Sequence, residues 1–377
     1  MTLSFLIAPA NFFLGLAILT WVAALVTKKT RFHWSAILIP TLGWALWSAV
    51  SAWFSQDRID SLTSLDNLLT LLLIPMTLSL LTRRRWDQLL VMLAVASSLS
   101  SAVALWQTFN TGIDLQNRAA GLFSHYMTFA GWTMAVVLVL AGEALRGSDP
   151  RKRWWILPVL TLHTVLLAVS LTRNAWVGLA AGLGTAALLW RPKALLAAPL
   201  LAVIAVAILP AQVRDRVTSI GDFQQHANRD RVAMARAGIA MAKDHPLVGV
   251  GPEQVKAVYP SYRLPEAVRE DPSHLHNNPI HIAAERGIPA LAVWFAFLGV
   301  FFYGACRALR NPEFPASAAV ASSLIAIIGL VAAGFFEYNW GDSEIWYFTL
   351  FLLAVPFSFR GRENGDRPHP IGEISST

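Results

Sequence analysis

Apolar residues in this chain come in long runs separated by short polar connections, and that alternation predicts its architecture. Runs of about 20 residues, enough to cross a bilayer as helix, fall at roughly 3 to 26, 34 to 54, 62 to 81, 89 to 109, 123 to 145, 154 to 172, 174 to 190, 194 to 209, 288 to 306, 316 to 336 and 345 to 359. They predict an all-α polytopic membrane protein with 11–12 transmembrane helices and one large, partly helical loop on the external side. The twelfth helix exists only if residues 1 to 26 hold two short crossings broken near Pro9. That first run lacks a basic start and continues into Lys28-Lys29, so it is read as a membrane segment and not as a cleavable signal peptide. The chain divides into membrane helices over 1–209, a polar loop over 210–287, membrane helices over 288–359 and a tail over 360–377.

The polar loop is too long for a simple connector. Within it, Val232, Ala235, Ile239 and Ala242 recur at helical spacing, which predicts an amphipathic helix over 230 to 243 that His245-Pro246 stops. Val248-Gly249-Val250-Gly251-Pro252 reads as a turn, and Tyr259 to Tyr262 and Glu266 to Asp271 read as irregular chain. Asn278 is then expected to cap a helix starting at Pro279 and ending at Gly287. In the seventh run, Gly178 and Gly182 form a small-xxx-small face, open to two readings: close helix contact or the ordinary glycine content of a membrane helix.

Composition agrees with the pattern: of 377 residues, 55% are hydrophobic and 14% charged, far from the balance of a soluble domain. One cysteine, Cys306, leaves no intramolecular disulfide and no cysteine-based metal site. The net charge of +7 could suggest nucleic acid, but its distribution gives another meaning. Basic residues cluster in alternate connections (Lys28, Lys29 and Arg31; Arg83 to Arg85; Arg146 and Arg151 to Arg153; Arg191 and Lys193; Arg307 and Arg310) and in the tail at Arg360, Arg362 and Arg367. By the positive-inside rule these are cytoplasmic, the loop 210–287 is external, and no nucleic-acid partner is expected.

Candidate chemistry concentrates on the external side. His276 precedes a helix N-terminus, where the dipole disfavours a positive ring and favours the neutral, proton-accepting form, and where an anion can be held. A solvated loop histidine is the plain alternative. His274, His276 and His281 could together hold zinc, but no oriented set of ligands is evident and no metal is expected. Arg173 lies at the outer interface between two runs, either as a functional charge or snorkelling to headgroups. Arg118 lies near His125, Arg229 and Arg231 open the amphipathic helix, and Glu337, Asp342 and Glu344 crowd one short turn. Arginines, a histidine base and acids on one face of a bundle suit an anionic lipid headgroup.

Several stretches resemble the O-antigen ligase and polymerase superfamily. His276-Asn277 followed after nine residues by Gly287 is similar to its H-[N/S/Q]-x9-G signature, and Arg231 leading a helix that ends in Lys243-Asp244-His245-Pro246-Leu-Val-Gly249-Val-Gly251 is similar to its arginine-led helix and "hPllGvG" turn. Arg118-Ala-Ala-Gly121-Leu-Phe, the Thr172-Arg173 junction and Phe336 to Ser343 resemble further family stretches, and Arg173 with Gly184 fits R-x10-G.

The resemblance implies a glycosyltransferase of the bacterial inner membrane with a periplasmic active site, no cofactor and no metal. Its donor would be a glycan on undecaprenyl diphosphate, moved en bloc to lipid A-core with inversion at the anomeric carbon, in lipopolysaccharide biosynthesis. His276 would be the base, with Arg173, Arg231 and Arg118 on the diphosphate and Asn277, His274, Arg229, Glu337 and Asp342 in support. The short stretch after the last run favours a ligase over a polymerase, which would extend the lipid-linked glycan instead. A transporter would need charges buried in mid-span and broken helices in paired halves, and neither is apparent. Membrane lipids are expected partners; self-association is left open.

Overall fold

The computed structural model describes residues 7–196, 207, 210–219, 225–311, 314 and 316–359, and every regular element among them is helical. The order is α1 (Ile7–Val26), α2 (Leu38–Trp53), α3 (Arg58–Thr63), a 3-10 stretch (Ser64–Leu72), α4 (Leu73–Leu80), α5 (Arg83–Thr111), α6 (Tyr126–Arg146), α7 (Pro150–Val169), α8 (Arg173–Trp190), α9 (Ala211–Thr218), α10 (His226–Asp244), α11 (Val255–Tyr262), α12 (Asn278–Arg310), α13 (Ser317–Ala333) and α14 (Ser343–Ser358). Ten of the eleven expected runs coincide with helices, and the run at 194 to 209 falls largely outside the described residues. The tail residues 360–377 lie outside them too. Among the described residues five helical stretches are long and apolar enough to cross a membrane, Pro9–Val26, Arg58–Leu80, Arg83–Thr111, Tyr126–Arg146 and Asn278–Arg310, with Ser317–Ala333 and Ser343–Ser358 shorter but apolar. The protein is an all-α, multi-pass membrane protein. Pro9 lies in the first turn of a single α1 and does not break it.

Local chemistry sets the helix starts. Asp57, Thr82, His125, Asp149 and Asn277 each accept a backbone N–H of the first turn of the helix they precede, at 2.9 to 3.3 Å. The cap of α12 is therefore Asn277 and not Asn278, one residue earlier than the sequence suggested. Asn278 is drawn inward instead, donating to Asn339 Oδ1 at 2.7 Å and accepting from the Trp340 N–H. Gly287 does end the first helical stretch, as expected, and the membrane helix continues beyond it within α12. Its backbone (φ 79°, ψ 175°) kinks α12, and glycine alone enters that region at little cost.

The centre of the bundle is α6, buried almost along its length, and α13, which packs on α6 and α8. A Cβ on Gly178 would come within 2.5 Å of the Gly329 carbonyl, and one on Gly182 within 2.8 Å of the Ile325 carbonyl. The two glycines therefore let α8 and α13 approach backbone to backbone, and close contact is the correct reading of that face.

The polar segment that precedes α12 is folded against the bundle. α10 begins a turn before its expected start and lays Met234, Ala237 and Met241 on α12. The stretch through Tyr262, expected to be irregular, is the short helix α11. Burial of Val255, Val258 and Tyr259 in the same apolar cluster overrides the weak propensity of a segment containing Pro260. The turn after α10 is clamped to the kink: Val250 and Gly251 N–H donate to Ala284 and Glu285 carbonyls at 2.9 Å, and Ile288 N–H donates to Pro246 O at 2.8 Å.

Candidate active site

Two ends of the bundle carry charge, with different chemistry. At one, Lys152 bridges Asp87 (2.5 Å) and buried Glu143 (3.0 Å), tying together α5, α6 and α7. This end is saturated and structural. At the other, the N-termini of α6 and α8 and the chain entering α12 meet the segment joining α13 to α14 around a cavity of about 360 Å³, and the start of α10 lies beside that of α8 through the Arg173–Asn228 hydrogen bond. His125, Thr128, Asn174, Arg269, His276, Glu337 and Asp342 are among its walls.

His276 enters this cavity from the residue before the α12 cap. Its backbone is left-handed (φ 49°), which is uncommon for a side chain other than glycine and turns the ring away from the helix axis. Its Nδ1 lies 2.9 Å from both carboxylate oxygens of Glu337, and its Nε2 lies 3.1 Å from Arg269 Nη1. A carboxylate only accepts and a guanidinium only donates, so the partners assign the neutral tautomer with a proton on Nδ1 and a lone pair on Nε2. Glu337 is buried, which alone would raise its pKa. The hydrogen bond from His276, the attraction that either imidazole would exert once protonated, and the charge of Arg231 pull it down to about 2, so it is a fixed anion.

That anion is positioned by the rest of its segment. Trp340 packs in an aromatic cluster with Trp44, Trp294, Phe297 and Trp346, ring centroids 4.6 to 6.0 Å away. Asn339 donates to Leu330 O and Asn277 to Phe335 O, both at 2.9 Å. His274 stands edge-on to His276, centroids 4.3 Å apart, with Nδ1 3.4 Å from Glu337 Oε1. Burial pushes His274 down to about 3 despite the Glu337 charge, so it too is neutral. Asp342 accepts from Thr128 at 2.6 Å. Its burial, with the Glu344 carboxyl beside it, pushes it up to about 7 against the pull of that hydroxyl.

The arginines separate into groups. Arg173 is buried and its guanidinium grips the loop, donating to Ser219 O (2.7 Å), Gln225 Oε1 (3.4 Å) and Asn228 Oδ1 (2.6 Å). It braces the α9 to α10 connection, while its neighbour Asn174 lines the cavity. Arg118 lies over the Tyr126 ring at 3.5 Å. Arg231 is half-buried and makes no hydrogen bond among the described residues. Burial lowers its pKa, against the pull of Glu337 and Tyr126. Arg229, by contrast, is exposed and turned to His226, 3.3 Å away, so it stands apart from this cluster.

Two members had no signal in the sequence. Arg216, on α9, is brought down to about 10 by burial and then by the like charges of Arg173, Arg118 and Arg231, which places four guanidinium groups within reach of one another. Arg269 comes from the irregular segment before the histidines, where no periodicity marks it. His125, noted in the sequence only as a neighbour of Arg118, caps α6 and lines the same cavity.

A neutral imidazole buttressed by a fixed carboxylate can take a proton at Nε2, and the resulting cation is stabilised by Glu337. A surplus of guanidinium groups beside it can hold a phosphate or diphosphate. One atom each of His274, His276 and Glu337 also lie within 4.8 Å of one another, a spacing that could hold a metal ion. The surrounding Arg231 and Arg269 are poor neighbours for a dication.

No curated protein matches the chain. A chain solved in work on "structural coordination of polymerization and crosslinking by a peptidoglycan synthase complex" is 18% identical, with 87% of this chain and 97% of that one covered and a TM-score of 0.46, too distant to inform the argument. Residues 158–295 match the family model described as O-antigen ligase. That segment contains Arg173, Arg231, Arg269, His276 and the Gly287 kink, so the similarity to the O-antigen ligase family covers much of the candidate site.

Proposed function

We propose that the protein is an O-antigen ligase, transferring a glycan en bloc from undecaprenyl diphosphate to lipid A-core at the periplasmic face of the inner membrane. The observation that carries the proposal is the His276–Glu337 pair lining a cavity, with Arg231, which makes no hydrogen bond among the described residues, close enough to act on Glu337. Nε2 takes the proton of the acceptor hydroxyl as its oxygen attacks the anomeric carbon. The bond from that carbon to the diphosphate oxygen breaks, and its electron pair leaves with undecaprenyl diphosphate. Attack opposite the leaving group inverts the anomeric centre. Arg231 and Arg118 face the charge that grows on the leaving oxygen, and Arg216 adds to the field. Arg173 contributes by fixing the loop that presents α10. Asn277, through its cap and its bond to Phe335, holds His276 in register.

The test is reconstitution of the pure protein with undecaprenyl-diphosphate glycan and lipid A-core. His276→Ala should abolish transfer with membrane insertion intact; near-normal transfer by that variant removes His276 from the base role. Transfer should persist in EDTA. Loss in EDTA with rescue by a divalent ion would favour the reading in which His274, His276 and Glu337 ligate a metal.

A further inference from the structure

The lone pair that the proposed chemistry needs is occupied. Arg269 Nη1 donates to His276 Nε2 at 3.1 Å, so in this arrangement the imidazole cannot accept a proton from a hydroxyl. We infer that Arg269 is a latch over the base, released by a phosphoryl group of the substrate, so that the base is uncovered only when an anionic substrate is in place. The inference rests on the reading of His276 as a base.

The build of the latch supports this. Asp230 Oδ1 accepts the backbone N–H of Val268 (3.0 Å) and of Arg269 (3.2 Å), which pins the chain at the pivot. The side chain beyond is 56% exposed and lines the cavity. Its restraints are the contact with His276 and an ion pair of Nε with Asp230 Oδ2 at 3.5 Å. An anchored backbone with a solvated side chain is a hinge that needs no change of fold. The competition is also lopsided, since a guanidinium binds a phosphate anion through two charge-assisted hydrogen bonds but a neutral imidazole through one. Arg231, itself lowered by Arg269 and lacking a hydrogen bond among the described residues, lies where the same anion would be shared.

A phosphoryl group could come from the donor diphosphate or from a phosphate on the acceptor saccharide, and substrate kinetics separate the two. The latch itself can be read without turnover. Diethyl pyrocarbonate acylates an unprotonated imidazole nitrogen, and mass spectrometry locates the adduct. With the full chain in lipid nanodiscs, Arg269→Ala should speed acylation of His276 by roughly tenfold, the loss of one charge-assisted hydrogen bond, with His274 as the internal reference. Arg269→Gln should lie between the variant and the wild type. An unchanged rate at His276 overturns the latch, whatever His276→Ala does to transfer. In the transfer assay, Arg269→Ala should either lose a preference for phosphorylated over dephosphorylated acceptor, which assigns the release to the acceptor, or raise the KM for donor, which assigns it to the diphosphate. A variant in which neither changes overturns the role of a phosphoryl group.

Discussion

Glu337 gives His276 its direction. Without the carboxylate the imidazole has no partner to choose its tautomer or to stabilise its cation, and Glu337→Gln should lower transfer by roughly 10²- to 10⁴-fold with little change in donor KM. The same residues make the protein acid-sensitive. His274, held at about 3 against 6.5 when unfolded, refuses a proton that the unfolded chain accepts, so stability falls as pH drops below about 6.5. Glu337, at about 2 against 4.5, adds a second loss between pH 4.5 and 2. Asp342 runs the other way: raised to about 7 from 3.8, it binds a proton more readily when folded, so its contribution is complete below pH 3.8 and gone above 7. Thermal unfolding in detergent should therefore show His274→Asn flattening the loss below pH 6.5. Asp342→Asn should raise the midpoint above pH 7, where the native acid has to give up its proton.

Among elements, the contact of α8 with α13 leaves no room for a side chain at its glycines. A methyl group at Gly182 meets a carbonyl of the neighbouring helix, which cannot rotate away as a side chain could. Gly182→Ala should cost about 1–3 kcal/mol in a denaturant series. Gly184, two residues on, has nothing within 4 Å of the same added atom, so Gly184→Ala should be neutral or stabilising by up to about 1 kcal/mol. The helices α10 and α11 are fixed by a second device, the clamp of the 246–252 turn onto the α12 kink. It couples the orientation of α10, with Arg231 at its start, to the helix that presents His276.

At the scale of the molecule, four helix N-termini and one interhelical segment converge at one end of the bundle, opposite the saturated Asp87–Lys152–Glu143 cluster. Helix N-termini are the positive ends of their dipoles, so their convergence adds to the field of the arginines and favours an anionic headgroup there. Transfer to lipid A-core and extension of the lipid-linked glycan would use the same geometry. Glycans of a deletion strain distinguish them: unattached long chains on the lipid carrier are expected of a lost ligase, and a single repeat capping lipid A would reveal a polymerase.

The sequence by itself determined the class of fold, because bilayer-length apolar runs have few other ways to satisfy their backbones. It also marked His276, Arg231, Glu337 and the amphipathic helix, since each stands out from an apolar background. It could not place Asn277 as the cap, form α11 or find Arg269 and Arg216, because these depend on contacts between segments distant along the chain and leave no periodicity. It named Arg173 and Arg229 as it named Arg231. Only packing distinguished them, setting one to brace a loop, one in solvent and one, with no hydrogen bond among the described residues, beside the His276–Glu337 pair. Sequence spacing carries the local periodicity that makes helices, whereas the charge around a side chain is the sum over every element folded against it.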